Sequence, residues 1–289
     1  MVKIVSMKTG LILEGGAMRG MFSCGVTDVF MENGVEFDGA AGISAGAVFG
    51  CNIKSRQPGR GIRYNKAYSR DWRYCSLRSL LRTGDLYGAD FCYHVIPEKL
   101  DPFDTEAFRS NPMEFYVGAT DAQTGEIVYH RCEDGGEADI QWLRASASMP
   151  LASKPVALEG RMLLDGGIVE AVPYRYMEKL GYDRNVAVLT QPKGYRKEPA
   201  RGMALFRLGL RKTPAIAEAM AHRHERYNAQ MAQIDAREAA GKLLVIRPPA
   251  SLGISRTESN PDELERVYQL GREQGLRRLE EVRGYLSKF

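Results

Sequence analysis

The pentapeptide Gly42-Ile43-Ser44-Ala45-Gly46 constrains this chain more than any other stretch. A GxSxG sequence suits a turn in which a strand passes so abruptly into a helix that the serine backbone is strained, and the glycines keep neighbouring side chains from colliding. The hydroxyl then stands at a helix N-terminus, where the helix dipole and free backbone N–H groups favour negative charge developing beside it. The run from Ala45 to Ile53 supplies small residues that let such a helix lie close to a sheet. An ordinary glycine-rich turn with a capping serine fits the same five residues, so the motif takes its meaning from its context.

That context begins upstream. Leu11-Ile12-Leu13 reads as a short buried strand running into Glu14-Gly15-Gly16-Ala17-Met18-Arg19-Gly20. A helical pattern follows, with Met21, Phe22, Val26, Val29 and Phe30 on one side and Asn33-Gly34 as its stop. A glycine-rich turn between strand and helix presents backbone N–H groups to an anion, either a phosphate or an oxyanion. The dinucleotide alternative fails, because Ala17 breaks a strict GxGxxG and the acidic residue expected further on falls at Glu36 or Asp38 without a following strand end. The second strand, expected over Phe37 to Ala41, delivers the chain to Ser44.

With 289 residues, 44% of them hydrophobic, the chain can build one large domain or a domain with an extension. Residues Met1 to Lys8 carry no long apolar run, and no later segment has the uncharged length needed to span a bilayer, so the expectation is a soluble, unexported, cytoplasmic protein. Five cysteines, odd in number and without CxxC spacing, argue against a disulfide framework and a zinc knuckle. A net charge of +4 does not call for nucleic acid as a partner.

An EGGAMRG turn after the first strand, followed by GISAG, resembles the patatin-like phospholipase family, bacterial branch. Leu163-Leu164-Asp165-Gly166-Gly167 resembles that family's second catalytic motif, and further likenesses lie at Ser76 to Gly84, Leu100 to Asp104 and Arg144 to Pro150. The resemblance covers roughly residues 9 to 190. It implies a three-layer α/β/α sandwich, a lipid or other ester substrate, no metal and no organic cofactor. Residues 191–289 are expected to form a mainly helical extension docked on that core, and the oligomeric state is left open.

A serine hydroxyl is a poor nucleophile until a base takes its proton. The resemblance gives this role to Asp165 directly. The rival is a hydrolase triad in the order Ser44, Asp165 and then His222 or His224. That fold places several strands before its serine elbow, whereas here one strand-helix unit precedes Ser44, and both histidines sit in a charged helical stretch; the dyad is preferred. Oxyanion donors are expected from the turn Gly15, Gly16, Ala17, Met18, Arg19 and Gly20, with Gly42 and Gly46 shaping the elbow and Gly166 and Gly167 completing the second motif. Ala17 departs from the third glycine usual in this family, and its methyl crowds the hole while leaving the N–H in place. Arg19 reads equally as an anion clamp or as one half of a salt bridge holding the turn. Glu14 reads as bonded to nearby backbone, and Asp121 and Ser148 as structural.

Between residues 54 and 82 nine basic residues face one acid, Asp71, with Tyr64, Tyr68, Trp72 and Tyr74 interleaved. Two readings stand: a peripheral surface for anionic lipid head groups, or a solvated helical face whose aromatics pack inward. Phe115 to Asp121 and Glu126 to His130 read as a β-hairpin, and Val186 to Thr190 as a core strand. Beyond Thr190, Lys193 to Lys212 reads as basic loop, Pro214 to Ala240 as one long helix, and Leu243 to Ile246 as a strand joining the main sheet, with a last helix starting at Asn260-Pro261. The function expected is a lipid acyl hydrolase with an acyl-serine intermediate on Ser44, the alternatives being a lipid-binding protein on the same fold with little turnover, or an acyltransferase.

Overall fold

The computed structural model describes residues 7–200 and 202–287, so residues 1–6 of the N-terminal stretch read for an export signal lie outside the described residues. Among the described residues eight strands form one mixed sheet: β1 (Lys8–Leu13), β2 (Gly39–Ile43), β3 (Glu114–Asp121), β4 (Ile127–Cys132), β5 (Val156–Leu158), β6 (Arg161–Asp165), β7 (Tyr182–Val188) and β8 (Leu243–Ile246). Their order is β5-β6-β3-β2-β1-β7-β8, with β4 also on β3. The pairs β2/β1, β1/β7, β2/β3 and β7/β8 are parallel, while β4, β5 and β6 join antiparallel. The central strand β1 shows how the layers arise: Leu11 and Leu13 point into one apolar cluster and Ile12 into another on the opposite face. One cluster packs helices Gly20–Glu32, Ala45–Lys54 and Pro261–Leu286, and the other packs Tyr174–Lys179 and Arg223–Ala239, giving the expected three-layer sandwich.

The C-terminal third is docked on this core. Strand β8 extends the sheet beside β7. Helix Pro261–Leu286 lies against Gly20–Glu32 at backbone contact, because a Cβ added at Gly271 would stand 2.0 Å from the Phe22 carbonyl oxygen and one at Gly25 2.1 Å from that of Tyr268. Tyr268 donates to Asp28 at 2.8 Å and Arg272 pairs with Glu32 at 2.7 Å across the same seam. This explains a departure from the one-sided pattern read in the sequence: residues 20–30 of the first helix are buried all round, sheet on one side and C-terminal helix on the other.

Three sequence expectations are corrected. The second strand is Gly39–Ile43 rather than Phe37 to Ala41, and so runs up to the serine itself. The stretch 193–212 is not all loop, since Met203–Gly209 is helical. The long helix expected over 214–240 is two, Pro214–Ala221 and Arg223–Ala239, broken at His222 (φ −97°, ψ 8°). Among the described residues no helix is long and apolar enough to cross a membrane, and all five cysteines are free thiols.

Candidate active site

Strand β3 brings the two halves of the site together. One of its edges carries β4 from Phe115 to Thr120. The other is shared end to end by β2, which runs parallel and finishes with Ile43 opposite Gly118, and β6, which runs antiparallel and finishes with Asp165 opposite Ala119. The C-terminal ends of β2 and β6 therefore meet head-on. Ser44 and Asp165, 121 positions apart in sequence, become neighbours, with Ser44 Oγ donating to Asp165 Oδ2 at 2.7 Å. Glycine makes the junction close: a Cβ at Gly166 would lie 2.4 Å from the Gly118 carbonyl oxygen.

The elbow has the strain its sequence implies. Ser44 sits at φ 53°, ψ −123°, immediately before helix Ala45–Lys54, a conformation that costs a non-glycine residue on the order of 1–3 kcal/mol. Gly42 and Gly46 are sterically required, since a Cβ at either would come within 2.4 Å of a carbonyl oxygen, of Gly46 and Leu13 respectively. What holds the strained residue is Ser146, fully buried: its Oγ accepts the Ser44 N–H at 2.8 Å and donates to the Gly118 carbonyl at 2.6 Å. Sequence reasoning missed Ser146, although it lies inside the stretch Arg144 to Pro150.

Asp165 is buried, and each of its carboxylate oxygens has a donor, Ser44 on Oδ2 and the Gly167 N–H on Oδ1 at 2.7 Å. Burial pushes its pKa above the usual carboxylate value, opposed by the Ser44 hydroxyl, Arg223 and the Gly167 N–H. Arg223, a second residue that sequence reasoning missed, donates from Nε to the Gly167 carbonyl at 2.6 Å and fixes the turn after the aspartate. The two histidines flanking it have other partners. His222 is exposed between Glu218 and Glu225 at 2.9 and 3.0 Å, and His224 approaches Glu225 at 3.7 Å; neither bonds Ser44 or Asp165.

The turn after β1 runs beside the serine: a Cβ at Gly15 would be 3.2 Å from that of Ser44. The six residues expected to offer N–H groups there divide into two sets. The Gly15 N–H is spent on the Ala171 carbonyl, the Arg19 N–H on Gly16, and Gly20 turns back to the carbonyls of Ala17 and Met18. Among the described residues the amides of Gly16, Ala17 and Met18 have no acceptor, nor does that of Ala45 at the start of the helix. Ala17 stands at φ 49°, a value that explains why glycine suits the position. Arg19 makes no ion pair among the described residues, and its buried Nε has no hydrogen-bond partner, so the salt-bridge reading fails. Glu14 is locked, as expected, accepting from the Thr190 N–H and hydroxyl at 2.5 and 3.1 Å and from the Tyr227 hydroxyl at 2.7 Å. Asp121 caps the hairpin turn through the amides of Gln123 and Thr124 and pairs with Arg161, and Ser148 Oγ bonds the Arg144 carbonyl; both are structural.

Ser44 and Asp165 border a cavity of about 370 Å³ whose walls are mainly apolar, among them Val48, Phe49, Tyr64, Tyr93, Ile96 and Leu143. That volume suits an acyl chain. The basic segment, read as either a lipid surface or a solvated face, is not one face. Lys54 is buried on the carbonyls of Asn111 and Met113, Arg60 is buried on the Asp101 carbonyl, and Arg63 forks onto the Asp101 carboxylate at 2.7 and 2.8 Å. Away from the site, His130, Cys132 and Asp139 place ligand-type atoms within 4.8 Å of one another. The Asp139 carboxylate already accepts three backbone N–H groups and faces His130 at 2.8 Å, so this cluster closes a loop.

A mixed sheet sandwiched by helices, a serine on a strained elbow and a carboxylate bonded directly to it describe a class of α/β proteins in which a serine and an aspartate share one strand's edge. The chain belongs to the patatin-like phospholipase family, whose model matches residues 11–177, and a second family model, a domain of unknown function (DUF6363), matches residues 213–287. It is 27% identical to the uncharacterized protein YjjU of Escherichia coli over 92% of this chain and 75% of that one. It is 26% identical to the lysophospholipase NTE1 of Coccidioides immitis over 94% of this chain, but spans only 18% of that much longer protein. Among solved structures it is similar to VipD from Legionella pneumophila, with 15% identity and a TM-score of 0.49 over 95% of this chain and 67% of that one, a likeness too loose to add to the family match.

Proposed function

We propose that this chain hydrolyses carboxylic esters of lipids through an acyl-enzyme on Ser44, with Asp165 as its base and residues 9–190 as the catalytic unit on which 191–289 is docked. The observation that carries the reading is the 2.7 Å bond from Ser44 Oγ to Asp165 Oδ2 at the border of an apolar cavity. Family membership and the name lysophospholipase among its relatives support a lipid ester as substrate. As Ser44 Oγ attacks the ester carbonyl, its proton passes to Asp165 Oδ2 and the carbonyl becomes an oxyanion facing the free amides of Gly16, Ala17, Met18 and Ala45. Such donors supply a few kcal/mol in a site closed to water. Collapse expels the alcohol, which takes the proton back from Asp165. Water then repeats the cycle on the acyl-serine, its proton going to Asp165 and returning to Ser44 Oγ as the fatty acid leaves.

A fluorophosphonate probe tests the reading, with labelling of Ser44 and release of fatty acid from a lysophospholipid both expected. Labelling without turnover supports a binding role, and transfer of the acyl group to an added alcohol in preference to water supports an acyltransferase. We place the enzyme in the cytoplasm, in keeping with its five free cysteines. The lipid-surface contact is proposed for a smaller face than the sequence implied. Leu77 and Leu81 are 72% and 87% exposed on successive turns, and Arg78 and Arg82 stack on Trp72 at 4.3 and 5.2 Å between them. Leu81→Asp is expected to weaken binding to vesicles containing phosphatidylglycerol; unchanged binding refutes this face.

A further inference from the structure

Four cations crowd the polar side of the site, each from a different element: Arg19 on the turn after β1, Lys197 in the segment after β7, Arg223 at the start of its helix, and Arg256 after β8. Arg256 borders the cavity together with Ser44 and Asp165. Lys197 holds its ammonium 4.4 Å over the Tyr227 ring, whose hydroxyl bonds Glu14. Two carboxylates face this group, and each of their oxygens already accepts a hydrogen bond from a neutral donor. Asp165 is bonded by Ser44 and the Gly167 N–H, Glu14 by Thr190 and Tyr227. Among the described residues none of the four cations makes an ion pair, and the buried Nε of Arg19 has no partner of any kind. The crowding is felt by its members: burial, Arg223, Arg19 and Arg256 push the Lys197 amine down to about 7 against the pull of Glu14.

Like charges gathered this way, with donors unspent, are stabilised by an anion. Arg256 lines the cavity with Ser44, and Arg223 bonds the Gly167 carbonyl two residues beyond Asp165, so an anionic group on the alcohol portion of an ester held at Ser44 lies on the side these cations occupy. We propose that Lys197, Arg223 and Arg256, with Arg19, form a subsite for the phosphate of the ester substrate's head group, so that the C-terminal third of the chain selects the substrate. This rests on the hydrolase reading for its location. It also gives work to the region matched by the domain of unknown function, which supplies Arg223 and Arg256. Three arginines and Lys197 set against the two carboxylates Asp165 and Glu14 leave a positive balance, so the subsite favours a head group that is anionic overall, such as glycerol phosphate, over one capped by choline.

The test uses the full chain in two arms. In the first, glycerol 3-phosphate is titrated calorimetrically into Ser44→Ala protein, and into the same protein carrying Lys197→Gln or Arg256→Gln. Both positions lie away from the Arg223 contact with the Gly167 carbonyl and are the safer changes for folding, which circular dichroism checks. Saturable binding that weakens about tenfold or more in each variant is expected, the loss of one charge-assisted contact. No saturable binding, or equal binding in the variants, overturns the proposal. Inorganic phosphate binding as tightly as glycerol 3-phosphate overturns its assignment to a head group, leaving a site for a free anion. In the second arm, kcat/KM is compared for 1-acyl-glycerol 3-phosphate and for the monoacylglycerol with the same acyl chain. A ratio that favours the phosphate and falls about tenfold in the variants supports the subsite; a ratio that does not move overturns it. If no ester is hydrolysed at all, the hydrolase reading fails while the calorimetric arm still decides the subsite.

Discussion

Ser146→Ala probes the packing of the elbow most sharply, because one hydroxyl there serves two backbone groups. Its oxygen accepts the Ser44 N–H at 2.8 Å and donates to the Gly118 carbonyl at 2.6 Å, and the residue is fully buried. Alanine leaves a donor and an acceptor unpaired away from water, each costing about 1–3 kcal/mol, so a loss of about 2–6 kcal/mol is expected. Against a typical total of roughly 5–15 kcal/mol this is large. It falls where strain is stored, since the positive φ of Ser44 persists only while its surroundings fix it. Once the amide is released, Ser44 Oγ drifts from Asp165 and kcat/KM drops by about 100-fold, the order expected for a misplacement near 1 Å. Urea unfolding measures the first effect, and hydrolysis of p-nitrophenyl butyrate by the folded variant measures the second. Stability within about 0.5 kcal/mol of wild type, the usual effect of an inconsequential surface change, would refute the hydrogen-bond argument, and unchanged kcat/KM in a destabilised variant would refute the positioning argument.

Further expectations follow from burial and close packing. Asp165 must be ionised to act as base, and burial holds its pKa above the ordinary value, so the acid limb of kcat/KM lies above the pH near 3.9 where an exposed aspartate titrates; a pH profile with no acid limb above that point contradicts the assignment. The same shift has a sign in stability. The folded state holds the Asp165 proton more tightly than the unfolded chain, so this residue's contribution falls as pH rises from the unfolded towards the folded pKa. Asp165→Asn is accordingly expected to melt no lower than wild type at neutral pH, and a clear loss in calorimetry argues against this sign. Gly271→Ala places a Cβ 2.0 Å from the Phe22 carbonyl oxygen and forces two helices apart. It is expected to cost about 3 kcal/mol or more, and an unchanged denaturation midpoint refutes the close contact.

The geometry of the candidate site was legible in the sequence where spacing is local. Gly42 and Gly46 announce a strained elbow because only glycine tolerates carbonyl oxygens at that distance, and the hydrophobic runs announce strands. What escaped depends on register between distant segments. That Ser146 props Ser44, and that β2 and β6 share one edge of β3 so that Ser44 meets Asp165, follow from contacts across 102 and 121 residues that no local pattern encodes. The donors in the glycine turn likewise resolved only with the sheet in place, since Gly15 loses its N–H to Ala171. The basic segment kept two readings because composition ignores burial: Lys54 and Arg60 serve backbone carbonyls inside the fold. The break at His222 left no helix-breaking residue in the sequence, yet it sets Arg223 against Gly167.

The most direct test of the account is kcat/KM on a short-chain p-nitrophenyl ester for wild type, Ser44→Ala, Asp165→Asn and the double change His222→Gln/His224→Gln, measured side by side with folding checked by circular dichroism. If Ser44 and Asp165 act as one unit, as proposed, losing either costs about as much as losing both, several orders of magnitude, while the double histidine variant keeps most of its activity. Retained activity in Asp165→Asn, or its loss in the histidine variant with the fold intact, would contradict a serine activated directly by an aspartate.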